Sequence, residues 1–68
     1  MNKGIIKWFR IDNTGYVELN NESILITEYS VLNKQTLKKL DKGIKVQFDV
    51  INILNKKIAT NLTLTEEN

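Results

Sequence analysis

The chain has 68 residues, ten Lys or Arg against eight Asp or Glu, and neither Cys nor His. This excludes a disulfide framework and a typical zinc site. It leaves room for one domain at most, whose single apolar core must suffice in a chain that buries only roughly 60% of its unfolded surface. The net charge is +2, but Glu66 and Glu67 fall in the last three residues, so residues 1–65 carry ten basic and six acidic groups, or +4. Such a field is mild and favours polyanions. No apolar run reaches signal-peptide or membrane-span length, so the expected location is the cytoplasm.

The pattern predicts five short strands cut by polar turns. Lys3–Arg10 is the first. It holds the only tryptophan, a phenylalanine beside it and basic residues on either side. Strict alternation places Ile6 and Trp8 on one face and Ile5, Lys7 and Phe9 on the other. Asp12-Asn13-Thr14-Gly15 reads as a turn, with Asp and Asn bonding their own backbone and Gly free to take positive φ. Tyr16–Leu19 is the second strand, and Asn20-Asn21-Glu22-Ser23 a hairpin turn. Ile24–Tyr29 is the third strand. Ser30–Lys42 reads as a loop with one helical turn, in which Leu32, Leu37 and Leu40 face the core and Ser30 is a possible cap. After a turn at Asp41-Lys42-Gly43, Lys45–Leu54 is a long fourth strand with Val46, Phe48 and Val50 on one face. Leu54-Asn55-Lys56-Lys57 turns the chain into a fifth strand, Ile58–Leu64, with Ile58, Thr60, Leu62 and Leu64 on one face. Residues 66–68 are expected to be a frayed acidic tail beyond a domain spanning 1–65.

Three strands, a longer crossing and a final hairpin make the rhythm of a small five-stranded antiparallel Greek-key barrel. Closure removes the exposed edges that make short all-β chains aggregate. The expected core is Ile6, Val17, Ile24 or Ile26, Val46, Phe48 and Leu62.

Three blocks carry a family resemblance. Gly4-Ile5-Ile6-Lys7-Trp8-Phe9 resembles the opening G-x-V-K-W-F strand of bacterial cold-shock proteins. Leu40–Val50 is similar to the family's L-x-x-G-x-x-V-x-F-x-V block, and Ala59-Thr60-Asn61-Leu62 to its A-x-N-V. The blocks fall in family order over nearly the whole chain. The resemblance implies an OB-type barrel that binds single-stranded RNA or DNA on one sheet face. It also marks departures. The first ribonucleoprotein-like motif, K-G-[FY]-G-F-I in the family, is Asn13-Thr14-Gly15-Tyr16-Val17 here, one residue and one aromatic shorter. The second, V-F-V-H-x-S, is Ile24–Ser30 here, with Leu25 in an aromatic's place and Thr27 in that of His. Tyr29 replaces a family aromatic if one residue is inserted, and Leu37 stands for a loop aromatic.

The nucleic-acid-binding residues expected on this basis are Lys7, Trp8, Phe9, Arg10, Tyr16 and Tyr29, the rings stacking bases and the cations meeting phosphates. The competing reading makes Trp8 and Phe9 plain core. Lys38, Lys39 and Lys42, and likewise Lys56 and Lys57, are solvated surface or steering charge. No Gly-rich phosphate loop and no nucleophile–base set is present, so the chain is expected to be a non-enzyme without metal or small-molecule cofactor. The leading expectation is a single-strand nucleic-acid binder, an RNA chaperone or a regulator of transcription or translation, with a weakened stacking surface. The alternative is a protein-interaction or dimerisation module on the same fold, made more aliphatic by Leu25, Thr27 and Leu37. The expected state is a monomer or weak homodimer.

Overall fold

The computed structural model describes residues 2–65; residues 66–68, expected to form an acidic tail, lie outside the described residues. Five strands, β1 (Asn2–Phe9), β2 (Gly15–Leu19), β3 (Glu22–Ile26), β4 (Lys45–Ile53) and β5 (Lys56–Leu64), close into a barrel in the order β1-β2-β3-β5-β4. The neighbours pair antiparallel except β3 and β5, which meet in parallel at Leu25 and Ile58. A short helix, α1 (Lys34–Lys39), lies in the crossing between β3 and β4.

Ile6, Val17, Ile24, Ile26, Val46, Phe48, Ala59 and Leu62 fill the interior. Each comes from the inward set of its strand, and Phe48 is the largest side chain fully enclosed. Val31 and Leu40 close the core beneath the crossing, with Leu37 packed against it. Leu32, expected inside, is instead exposed. Val31 takes its place, because the loop after Ile26 turns sooner than an extended strand to Tyr29 would.

That early turn is built by side chains. The Thr27 N–H donates to Ser30 Oγ at 2.9 Å, and the Ser30 N–H donates to the Thr27 carbonyl at 2.9 Å. Ser30 is buried, and its carbonyl accepts the Leu62 N–H at 3.0 Å. It is therefore committed to the loop and does not cap the helix. Asn33 does, its Oδ1 accepting the N–H of Gln35 at 2.8 Å and of Thr36 at 3.4 Å.

The hairpins use two-residue turns with both residues at positive φ. Asn20 and Asn21 join β2 to β3, and Leu54 and Asn55 join β4 to β5. Between β1 and β2 it is Asn13, with φ 68°, that takes the left-handed conformation rather than Gly15. Gly15 is needed for closeness: a Cβ there would stand 2.1 Å from the Trp8 carbonyl oxygen.

Two bulges set which residues face outward. In β1, Ile6 lies opposite Val17 but Trp8 lies opposite Tyr16, so two residues advance against one. In β5, Thr63 lies opposite Gln47 and Thr60 opposite Asp49, leaving an extra residue on β5. Asn61 lies within that extra stretch, at φ 50°, and its Nδ2 donates to Asp49 Oδ2 at 3.2 Å. Ala59 and Leu62, three residues apart, both point inward as a result. The single face expected for Ile58, Thr60, Leu62 and Leu64 is thereby split.

Candidate nucleic-acid interface

The β1 bulge decides the position of the tryptophan. Without it Trp8 would share the inward face of Ile6, as alternation predicts. With it, Ile6 is fully buried and Trp8 is 46% exposed. Trp8 now lies beside Tyr16, which alternation on β2 turns outward between buried Gly15 and Val17. The two rings stack with centroids 5.6 Å apart and planes inclined by 28°. Tyr16 is 42% exposed. Two half-open rings side by side form a platform on which a base can lie.

Arg10 completes one side. Its guanidinium carbon sits 5.5 Å from the Trp8 ring centroid, within range of cation–π attraction. Its Nε is 3.9 Å from Asp12 Oδ2. Asp12 also accepts the Thr14 hydroxyl at 2.6 Å and the Thr14 N–H at 3.2 Å. The Thr14 hydroxyl bond is the main influence holding this carboxyl below its ordinary pKa of 3.8, and Arg10 adds to it. Asp12 thus stays charged and holds Arg10 near the rings. Lys7, the neighbour of Trp8 at the bulge, reaches Glu18 Oε1 at 3.4 Å from an exposed position. Such an exposed pair is weak and leaves Lys7 available to a phosphate.

The other two expected residues stand differently. Phe9 is half-buried and packs against the core, so it supports the platform from below. Tyr29 is 80% exposed on the Thr27–Ser30 loop, where the Thr27 hydroxyl accepts its N–H at 3.2 Å. Among the described residues the stacked ring pair is Trp8 with Tyr16. Leu37 sits on α1, half-buried against the core.

The strand registers reveal what linear reading missed. Trp8 pairs with Tyr16, Tyr16 with Leu25, Leu25 with Ile58, and Ile58 with Ile51. Directly opposed residues share a face, so these five form one outward row that crosses every strand. It is aromatic at one end and aliphatic at the other. An open groove beside Tyr16 follows it, floored by Leu25 and lined by Ser23, Glu22, Asn55, Lys56 and Lys57. Lys57 is held there by Glu22. Ile58 and Ile51 could have been found only from the parallel β3–β5 contact, which no local pattern announces.

Among the described residues no group of three or more acidic, His or Cys residues could hold a metal ion. Among the described residues no helix is long and apolar enough to cross a membrane.

Comparison with known proteins agrees with this geometry. Residues 2–65 match the 'Cold-shock' DNA-binding domain family. Cold shock protein CspA of Staphylococcus saprophyticus is 31% identical over 52 residues, covering 75% of this chain and 79% of that protein. Cold shock protein CspA of Staphylococcus epidermidis and of Staphylococcus aureus are similar to the same extent. The family is one of nucleic-acid-binding barrels and not of enzymes. With its barrel, its outward ring pair and a match over nearly its full length, this chain belongs to the cold-shock domain family.

Proposed function

We propose that residues 1–65 act as one unit that binds single-stranded RNA or DNA across the outer row, with Trp8 and Tyr16 stacking bases and Lys7 and Arg10 meeting phosphates. The observation that carries this reading is the half-exposed Trp8–Tyr16 pair with a guanidinium over the indole. Arg10 exchanges the ring face for a phosphate as a base arrives. Phe9 stiffens the platform, and Tyr29 offers a loop contact at its margin. Leu25 continues the row without π overlap, so the surface grips fewer bases than an all-aromatic one. At about 1–3 kcal/mol per stacked base, each missing ring weakens binding by roughly 5- to 150-fold. Contacts that are few, stacking-based and indifferent to base identity suit transient binding that melts weak secondary structure. This supports an RNA chaperone, or a regulator of transcription or translation, acting in the cytoplasm without a cofactor.

Titrating Trp8 fluorescence with oligo-dT and oligo-U at low salt tests the proposal. Saturable quenching is expected; an unchanged spectrum at high micromolar oligonucleotide sinks it.

A second reading has its own observation. Ile51, Ile53 and Leu54 are exposed together at the β4–β5 hairpin, an aliphatic surface suited to a protein partner or a weak homodimer. Sedimentation across a concentration series separates the two: a salt-insensitive dimer that protects Trp8 from quenching favours the second.

A further inference from the structure

Lys7 and Arg10, the two cations assigned to phosphates, are not bare in the free chain. Lys7 lies against Glu18, and Arg10 against Asp12. The two carboxylates are held very differently. Glu18 is an exposed strand residue, and its contact with Lys7 joins two long, solvated side chains. Such a pair parts at little cost. Asp12 is built into its turn. Its Oδ1 accepts both the hydroxyl and the N–H of Thr14, at 2.6 and 3.2 Å. The backbone closes the turn twice: the Arg10 N–H donates to the Thr14 carbonyl at 2.8 Å, and the Asn13 N–H to the Arg10 carbonyl at 3.0 Å. Asn13, at φ 68°, lets the chain reverse there.

With Oδ1 committed to Thr14, Oδ2 is the oxygen nearest Arg10, whose Nε lies 3.9 Å away. The guanidinium carbon stands over the indole, 5.5 Å from the ring centroid. A phosphate oxygen of a bound strand would approach this same guanidinium. A short side chain on a closed turn gives up little freedom in holding that place. It therefore competes with a phosphate better than a carboxylate on a long, mobile side chain does.

We infer that Asp12 is an affinity-setting residue of the interface: a carboxylate fixed where a ligand phosphate would meet Arg10, which keeps the guanidinium over Trp8 until a strand displaces it. The inference rests on the proposed function and adds a residue that works against binding. The free chain covers its indole with its own cation. A strand gains its stacking and its phosphate contact only by breaking the Asp12–Arg10 pair and the contact of Arg10 with the ring. When the strand leaves, Asp12 recaptures the guanidinium. Removing the charge of Asp12 while keeping its turn therefore tightens binding, and it does so through Arg10.

The test follows Trp8 quenching by a dT hexanucleotide against NaCl on the whole chain. The proteins are wild type, Asp12→Asn, Arg10→Gln, the double variant and Glu28→Gln, with folding checked by circular dichroism. Asn keeps an oxygen for the Thr14 N–H and loses only the charge. Glu28, exposed on the Thr27–Ser30 loop, controls for the loss of one negative charge. Asp12→Asn is expected to tighten binding about two- to fivefold, the worth of an exposed ion pair. It should also steepen the plot of log affinity against log salt by about 0.7, one further phosphate neutralised. With Arg10→Gln already in place, the gain from Asp12→Asn should shrink to that of Glu28→Gln. NMR of the wild type needs no variant: the Arg10 Nε–H and the Asp12 carboxyl carbon should shift together, in step with quenching. Binding that is unchanged or weaker in Asp12→Asn, with wild-type quenching intact, overturns the inference and leaves the platform standing. So does a gain that persists undiminished without Arg10, or an Asp12 carboxyl signal that stays fixed as the strand saturates. Quenching absent from every protein overturns the platform, and the inference with it.

Discussion

Trp8 and Tyr16 face each other across β1 and β2 only because β1 carries one residue more than β2 between Ile6 and Trp8. The same extra residue sends Ile6 inward and the indole outward. Core and binding surface are thus set by one irregularity. Its closeness to Gly15, where no Cβ fits against the Trp8 carbonyl, fixes the crossing of the two strands.

Gly15→Ala should therefore unfold the protein rather than merely weaken binding. The added carbon meets backbone, which cannot rotate away. In a barrel this small, marginal to begin with, loss of the β1–β2 pairing leaves no stable remainder. The check is circular dichroism with a urea titration: absence of a cooperative transition is the expected result.

Leu25→Phe should strengthen binding. The residue lies between Tyr16 and Ile58 in the outward row, half-buried, with its strand neighbours Ile24 and Ile26 both inside. A ring there adds a third platform. A gain of about 1–3 kcal/mol in single-strand affinity is expected from the added stack, read by fluorescence titration. Unchanged affinity would place the bases elsewhere.

Leu54→Asn should raise stability without affecting binding. Leu54 sits at φ 50° and is 90% exposed, so it endures the left-handed conformation without burial to offset it. The equivalent place in the other hairpin is Asn20. Left-handed backbone costs an ordinary L residue about 1–2 kcal/mol, and Asn less. A gain approaching 1 kcal/mol would shift Tm by about 4–8 °C in a domain of this size. Thermal unfolding of the two proteins decides it.

The Asp12 turn should loosen in acid. Its carboxyl pKa is depressed by the Thr14 hydroxyl bond above all, then by the Thr14 N–H and Arg10. A carboxylate held below its ordinary value contributes stability that is complete above that value, 3.8, and disappears as pH falls through the lowered one. NMR titration of Asp12 should give a midpoint below 3.8, and Thr14→Val should move it upward. A midpoint at or above the ordinary value would contradict the turn.

Much of the fold was legible because alternation and turn chemistry are local. Val46, Phe48 and Val17 announce inward faces, and Asn20-Asn21 announces a hairpin. The bulges were not legible, since each is a mismatch in count between two strands and neither strand shows it alone. That is why Trp8 was expected beside Ile6, and Ile58 beside Leu62. Ser30 was a reasonable cap by type, but Thr27 and Leu62 compete for it, and the second competitor is over thirty residues away. For the candidate site, Lys7, Trp8 and Arg10 could be named from sequence because a ring flanked by cations is unusual in a plain core strand, and Tyr16 through the likeness of its segment to the family's first motif. Their assembly with Leu25, Ile58 and Ile51 could not, because the row exists only once the barrel closes.

The most direct test of the account is chemical-shift mapping with a single-stranded oligonucleotide at low salt. The account predicts the largest perturbations at the Trp8 indole N–H, Tyr16, Leu25 and Ile58, with Arg10 moving in step. Perturbations confined to Ile53–Leu54 at the hairpin tip, or none at millimolar oligonucleotide, would contradict it.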